Sequence, residues 1–152
     1  MGITPRVMPV MVRCAAPLLF AGLFVVAACH SEPTAPQDAR VLIVDPASEQ
    51  QVPSGEVKVK VFVERFELVD AGDGANVPGQ GHIVYYRDVT PPLVPGTSAL
   101  TADGTYAISS ATSHTWSDVS PGQHTFWVQL VNDDNTALEP PAAVRVDVVA
   151  VE

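Results

Sequence analysis

The segment G-E-V-K-V-K-V-F-V at residues 55–63 decides the fold class of this chain. It places valine at every second position, at Val57, Val59, Val61 and Val63. Successive side chains of a β-strand point to opposite faces, so this spacing predicts a strand with a buried valine face. The other face is expected to contact mostly water. It carries Glu56, Lys58, Lys60 and Phe62.

Strand patterns continue on both sides of this segment. Residues 41–44 form a compact apolar run, closed by Asp45 and Pro46, which is typical of a first edge strand. Phe66 and Leu68 fall on the opposite parity from the valines, which predicts either a β-bulge just before them or a new strand. Further strands are predicted at residues 82–88, 105–108, 113–116, 123–131 and 144–148. Composition predicts loops at residues 70–80, 91–96 and 132–141.

Fourteen prolines and ten glycines exclude a protein built from long helices. About seven short strands without a helical segment predict an all-β domain at residues 40–152, a single immunoglobulin-like antiparallel β-sandwich. A small open barrel is the alternative architecture. The expected core between the two sheets comprises Val57, Val59, Val61, Phe126, Val128, Leu130, Val144, Val146 and Val148.

The N-terminal residues have the pattern of an export signal. Arg6 and Arg13 form a basic start, and the apolar run at residues 15–28 is shorter than the roughly 20 residues of a spanning helix. The run ends in V-A-A-C at residues 26–29, which resembles the lipobox of bacterial lipoproteins. This resemblance implies cleavage before Cys29 and lipid on that cysteine. A plain signal peptide or an N-terminal membrane anchor is the alternative.

The same resemblance implies three segments and a location. Residues 1–28 form a lipoprotein signal peptide, residues 29–39 a lipidated cysteine with a flexible polar tether, and residues 40–152 the domain. The protein is then lipid-anchored in the cell envelope and faces the periplasm or the cell exterior. His30 is not an aspartate, which favours the outer membrane in an organism that has two.

Charge and cysteine content exclude several classes of function. Of eight Lys and Arg, two precede Cys29, so six remain against 17 Asp and Glu, a net charge of −11. Such a surface repels phosphate backbones, so nucleic acid is excluded as a partner. Cys14 leaves with the signal peptide and Cys29 takes the lipid. The domain therefore has no disulfide, thiol nucleophile, zinc–thiolate site or blue-copper site.

The domain has three histidines, His82, His114 and His124, and none has the H-x-H spacing of metal ligands. A copper or zinc site would need a further carboxylate, from Asp88 or Asp118. The sequence therefore predicts no bound cofactor. A periplasmic metal-handling protein that uses these histidines is the alternative function.

Two loops carry oxygen side chains of the kind that calcium binds. One holds Asp70, Asp73 and Asn76, and the other holds Asp133, Asp134 and Asn135. Neither follows the order of an EF-hand loop. Asx-turns account for both groups without a metal.

The sequence predicts binding rather than catalysis, because it lacks a G-x-S-x-G elbow and a glycine-rich phosphate loop. Trp127 has the opposite parity from Phe126 and Val128, so its ring is expected to face solvent. Tyr85 is a second candidate, although the pattern does not separate it from Tyr86. Exposed rings stack on sugars or anchor a protein partner. The alternative to an exposed ring is that a loop or a neighbouring strand covers Trp127.

Three stretches resemble a family of small exported domains of bacteria and archaea without an agreed activity: G-H-I-V-Y-Y-R-D at residues 81–88, T-S-H-T-W at 112–116 and the segment at 121–141. The resemblance covers about half the chain and implies an immunoglobulin-like fold and an extracellular location. Relatives often have histidines where this chain has Val84 and Asn135. If those histidines bind a metal in the relatives, this chain lacks two of the ligands.

Two functions follow from these patterns. The first is a non-catalytic binding or structural module at the envelope, which contacts a glycan or another envelope protein and is held to the membrane by its lipid. The second is metal handling. Exposure of Trp127 favours the first, and convergence of the three histidines favours the second.

Overall fold

The computed structural model describes residues 39–72 and 75–152, and these form an all-β domain without helices. The predicted signal peptide, Cys29 and the tether up to residue 38 lie outside the described residues, as does Asp73. Within the described ranges no helix is long and apolar enough to cross a bilayer. The strands are β1 (Arg40–Asp45), β2 (Gln51–Pro53), β3 (Gly55–Glu64), β4 (Glu67–Leu68), β5 (Gln80–Arg87), β6 (Tyr106–Ser109), β7 (Ser113–Val119), β8 (Gly122–Val131) and β9 (Ala137–Val151).

The strands form two sheets. The smaller sheet has the order β1-β3-β7, and β1 is an edge strand as predicted. The larger sheet has the order β2-β9-β8-β5-β4, with β6 also paired to β5, and it curls into a half-barrel. The structure differs from the expected antiparallel arrangement of about seven strands. The short strands β2 and β4 add to the count, and each pairs in parallel with a long neighbour.

The core lies between the two sheets where the alternating patterns predict it. Eight of the nine expected residues are buried in one cluster, and Val144 packs against it partly buried. Burial along β3 alternates as the valine spacing predicts. The same cluster also contains residues that the patterns did not assign to the core, among them Ile83, Tyr85, Trp116 and Val119.

The backbone tests two local predictions, the bulge or new strand around Phe66 and the loop at residues 132–141. Arg65 adopts a positive φ of 55°, which ends β3. The short strand β4 follows it, so Leu68 lies in a new strand and Phe66 directly before that strand. The predicted loop at residues 132–141 is wrong in its second half, because β9 already begins at Ala137.

The two prolines at the start of β9 lie where its pairing with β8 is interrupted. Leu130 pairs with Ala142 while Val131 pairs with Ala137, so residues 138–141 have no partner in β8. Proline has no N–H to donate to a β-ladder, and a bulge is where a strand tolerates it. Pro140 and Pro141 therefore fit within a strand that composition alone described as a loop.

A second, smaller cluster covers part of the outer face of the larger sheet. Val84, Tyr86, Ala99 and Val131 are buried there, beneath the connection that runs from β5 to β6. The Tyr86 hydroxyl donates to the Ala99 carbonyl at 2.7 Å, and Gln129 Nε2 donates to a carbonyl of the connection at 3.0 Å. The connection therefore buries part of a sheet face that alternation alone describes as solvated.

Candidate functional site

Tyr85 does not form a binding surface, because its ring is fully buried. Its hydroxyl donates to the carbonyl of Ala111 at 2.8 Å, and its ring lies 5.4 Å from that of His114. Burial raises the pKa of Tyr85. The expectation of an exposed ring is wrong because β5 is covered on both faces, by the core on the side of Tyr85 and by the second cluster on the side of Tyr86.

Trp127 lies on the face opposite the core, as its parity predicts, but its ring is half-buried. One side of the ring packs against the second cluster. On the neighbouring strand, Arg145 is its direct partner, and the guanidinium carbon lies 5.9 Å from the ring centroid. Trp127 therefore stands at the border between the covered and the open part of this sheet face.

The open part forms a groove along β8 and β9, which we call the β8–β9 groove. It consists of two adjoining hollows that share Asp88, Thr125 and Arg145, and the larger has a volume of about 400 Å³. Trp127 lines the smaller hollow. The larger hollow is also lined by Glu49, Gln123, His124, Asp147, Val148 and Val149.

Hydrogen bonds hold the polar groups at one end of the groove. Asp88 accepts from the backbone N–H of Thr125 at 2.9 Å, and its second oxygen lies 2.8 Å from Nδ1 of His124. Nε2 of His124 lies 2.9 Å from the carbonyl oxygen of Ser120. Both imidazole nitrogens thus face oxygen acceptors, which leaves neither nitrogen directed towards a ligand.

A second set of polar groups lies across β8 and β9. Thr125 Oγ1 donates to Asp147 at 2.7 Å, and Arg145 Nη2 donates to the other carboxylate oxygen at 2.8 Å. The hydrogen bond from Thr125 lowers the pKa of Asp147, and Arg145 lowers it further. A carboxylate, a guanidinium and an indole ring are therefore presented side by side in fixed positions.

The three histidines do not converge. His82 is buried at the start of β5, His114 lies on β7 of the other sheet, and His124 lies near the start of β8. Because β5 and β8 run antiparallel and His82 pairs with Val131, His82 and His124 are at opposite ends of the sheet. In the described part of the chain, no three His, Cys, Asp or Glu side chains are grouped as metal ligands.

Each of the other two histidines has an environment of its own. Nε2 of His82 lies 2.9 Å from Oδ1 of Asn135, and its Nδ1 is buried without a hydrogen-bond partner among the described residues. The ring of His114 meets that of Trp116 edge-on at 4.7 Å, and burial lowers the pKa of His114.

The two acidic loops adjoin each other, and their side chains accept hydrogen bonds from the loops themselves and from the connection between β6 and β7. Oδ1 of Asn76 accepts from the N–H of Asp134 at 3.1 Å, and Asp134 accepts from the hydroxyl and the N–H of Thr136. The Thr136 hydroxyl lowers the pKa of Asp134. Asp70 accepts from the hydroxyl of Ser110. Only the contacts of Asp134 with Thr136, two residues further on, are those of an Asx-type turn. Asn76 and Asp70 instead bond to segments that are distant in the chain.

Sequence reasoning singled out Trp127 but missed the polar residues beside it. Arg145 and Asp147 have the opposite parity from the buried valines of β9, so alternation was a sufficient signal for their outward position. Asp88 follows β5 in a positive-φ turn, and no sequence pattern places it beside β8.

Comparisons with known proteins do not identify the chain. No family model and no curated protein matches it. A solved structure described as an engineered protein at 1.98 Å resolution is similar over 78% of this chain, with 18% identity and a TM-score of 0.42. The chain spans 21% of that protein's length.

Proposed function

We propose that this chain is an envelope-anchored lipoprotein whose immunoglobulin-like β-sandwich is a non-catalytic binding module. Its ligand site is the β8–β9 groove, and its ligand is a glycan without negative charge. The observation that carries the proposal is the position of Trp127 at the border of the groove, beside Arg145 and Asp147.

The chemistry of the groove suits a sugar. The C–H face of a sugar ring packs against an aromatic ring, while its hydroxyls need both donors and acceptors. Arg145 supplies donors, and the carboxylates of Asp88 and Asp147 supply acceptors. The net charge of −11 after Cys29 repels acidic polymers, which restricts the ligand to neutral or amino sugars.

The ligand site is tested with Trp127→Leu on an array of neutral and amino glycans. Leucine retains an apolar contact with the second cluster but removes the flat ring, whereas alanine would also remove packing. We expect the binding free energy for the glycan that the wild type binds to weaken by more than about 1 kcal/mol, because the aromatic ring that lines the site is lost. Titration of that glycan against both proteins measures the difference.

Tyr106→Leu is the matched control, because Tyr106 is a half-buried aromatic of the same cluster that does not line the groove. The two variants should have similar melting temperatures, and only Trp127→Leu should lose affinity. Equal losses of affinity in both variants would show that Trp127 acts through the fold. A wild-type protein that binds no glycan on the array would overturn the proposed ligand class.

The anchor is tested with Cys29→Ser in the full chain expressed in bacteria. Mass spectrometry should show two or three acyl chains on the N-terminal peptide of the wild type. Attachment by several acyl chains should resist high salt. Cys14→Ser is the matched control, because it removes the other cysteine and should be processed normally. A Cys29→Ser protein that is cleaved and membrane-bound like the wild type would contradict lipidation.

A further inference from the structure

The β8–β9 groove is lined by three carboxylates, and that of Glu49 differs from the other two. Both carboxylate oxygens of Asp88, and both of Asp147, lie within hydrogen-bond distance of a nitrogen or a hydroxyl group of the protein. Glu49 also lines the larger hollow, but its carboxylate has neither a hydrogen bond nor an ion pair with another described residue. The charge of Glu49 is therefore available to a ligand.

The turn that carries Glu49 is fixed to β9. The N–H of Gln50 donates to the carbonyl of Ala47 at 3.1 Å, and the N–H of Ala47 donates to Oε1 of Gln50 at 2.8 Å. The N–H of Glu49 donates to the carbonyl of Asp147 at 2.6 Å. On the other side of the turn, the carbonyl of Gln50 accepts from the N–H of Val149 at 3.0 Å. These bonds set the position of the Glu49 backbone at the rim of the groove.

Glu49 and Trp127 lie in different rows of the sheet. The backbone of Glu49 bonds to Asp147, Asp147 pairs with Thr125 across the ladder, and Trp127 is two residues further along β8. The spacing of strands and the rise per residue put the Cα atoms of Glu49 and Trp127 about 12 Å apart. An oligosaccharide is therefore better suited than a single sugar to contact both side chains.

The charges that line the groove favour a cation. Glu49, Asp88 and Asp147 contribute three negative charges, and Arg145 and His124 are the basic side chains that line the same groove. Even with His124 protonated, the lining carries an excess of one negative charge. Opposite charges attract more strongly in a concave site than on an open surface, because less water screens them. Among sugars without negative charge, those with a free amine are cations.

We infer that the β8–β9 groove selects an oligosaccharide that contains amino sugars with free amines, and that Glu49 binds an ammonium group of this ligand. The inference rests on the proposed function, because it requires a glycan in the groove. One sugar ring packs against Trp127, and the ammonium of another ring donates hydrogen bonds to the Glu49 carboxylate. A neutral sugar gains no ion pair from Glu49. Glu49 therefore determines the charge specificity of the site.

The test compares two ligands that differ only in acetylation of the amine, namely oligomers of glucosamine and of N-acetylglucosamine with the same linkage and length. Full-length protein purified in detergent is titrated with each by calorimetry, at a mildly acidic pH where the free amines are protonated. We expect the glucosamine oligomer to bind about two- to fivefold more tightly, which is the effect of one exposed ion pair. Added salt should weaken this preference, because it screens the charges.

Glu49→Gln removes the charge of the side chain and keeps its shape. It should lower the affinity for the glucosamine oligomer by the same factor of about two to five and leave the affinity for the acetylated oligomer unchanged. The Glu49 side chain is exposed, so the fold should be unaffected. Glu56→Gln is the matched control, because Glu56 is an exposed glutamate on β3 of the other sheet. Both affinities of this control should equal those of the wild type.

The outcomes separate the role of Glu49 from the proposed function. Equal wild-type affinity for the two oligomers, with both affinities lost in Trp127→Leu, would overturn the role of Glu49 while the glycan site stands. Equal losses in Glu49→Gln and Glu56→Gln would also overturn it, because the preference would then come from the net charge of the domain. A preference that depends on Glu49 but not on Trp127 would support the ammonium site and contradict the aromatic contact. A wild type that binds neither oligomer would overturn the choice of amino sugars, and the array of other glycans would then decide the proposed function.

Discussion

Leu130→Ala is expected to lower the free energy of unfolding by about 2 to 5 kcal/mol, because it opens a cavity in the centre of the core. Leu130 is fully buried on β8 and is paired with Ile83 on one side and Ala142 on the other. A domain of this size has a total stability of about 5 to 15 kcal/mol, and this one has no disulfide to offset the loss. Urea unfolding followed by tryptophan fluorescence measures the change.

Leu93→Ala is the matched control for this substitution. It removes the same atoms from a side chain that is 39% exposed in the connection between β5 and β6. Its effect should be within about 0.5 kcal/mol of zero, as is usual for surface positions. A Leu130→Ala protein as stable as Leu93→Ala would contradict the packing of β8 described here.

Gly81→Ala is expected to destabilise the domain by about 3 kcal/mol or more, which is the upper range for overpacking. A Cβ atom at Gly81 would lie 2.0 Å from the carbonyl oxygen of Val131 and 2.9 Å from Cζ of Phe66. The backbone of Val131 cannot move away freely, because it pairs with His82 in the ladder between β5 and β8. Thermal unfolding measures the loss.

Gly104→Ala is the control that distinguishes the steric clash at Gly81 from the strain of a positive φ. Gly104 also has a positive φ, of 82°, but a Cβ atom added there would have no other atom of the described residues within 4 Å. Its replacement should therefore cost only the roughly 1 to 2 kcal/mol of a left-handed alanine. Equal losses at the two positions would show that close contact at Gly81 is not the cause. If Gly81→Ala does not fold, the soluble yield of the two variants provides the same comparison.

The core of this protein was predictable because alternation is a local property. In β3, β8 and β9 each side chain's parity assigns it to one face, so Val59, Phe126 and Val146 were placed in the core without knowledge of their neighbours. The same parity correctly put Trp127 on the opposite face. Apolar runs without alternation were less informative. In β5 the pattern could not decide which of Tyr85 and Tyr86 faces the core.

The start of β9 shows how composition can mislead. The prolines at residues 140 and 141 suggested a loop, yet the strand already begins at Ala137 because the prolines occupy a gap in the ladder with β8. Two distant pairings set that gap, Leu130 with Ala142 and Val131 with Ala137. Neither pairing can be read from the order of residues near the prolines.

The order of residues alone therefore specifies the all-β class, the edge position of β1 and the core-facing residues of β3, β8 and β9. Contacts between distant segments decide which outward faces are open to solvent. They half-cover Trp127 through the connection from β5 to β6, separate His82 from His124, and assemble the groove from Asp88, β8 and β9. The physical reason is that a strand's own period selects a side of the sheet, whereas the neighbours on that side come from segments far apart in the chain and meet only when the sheets close.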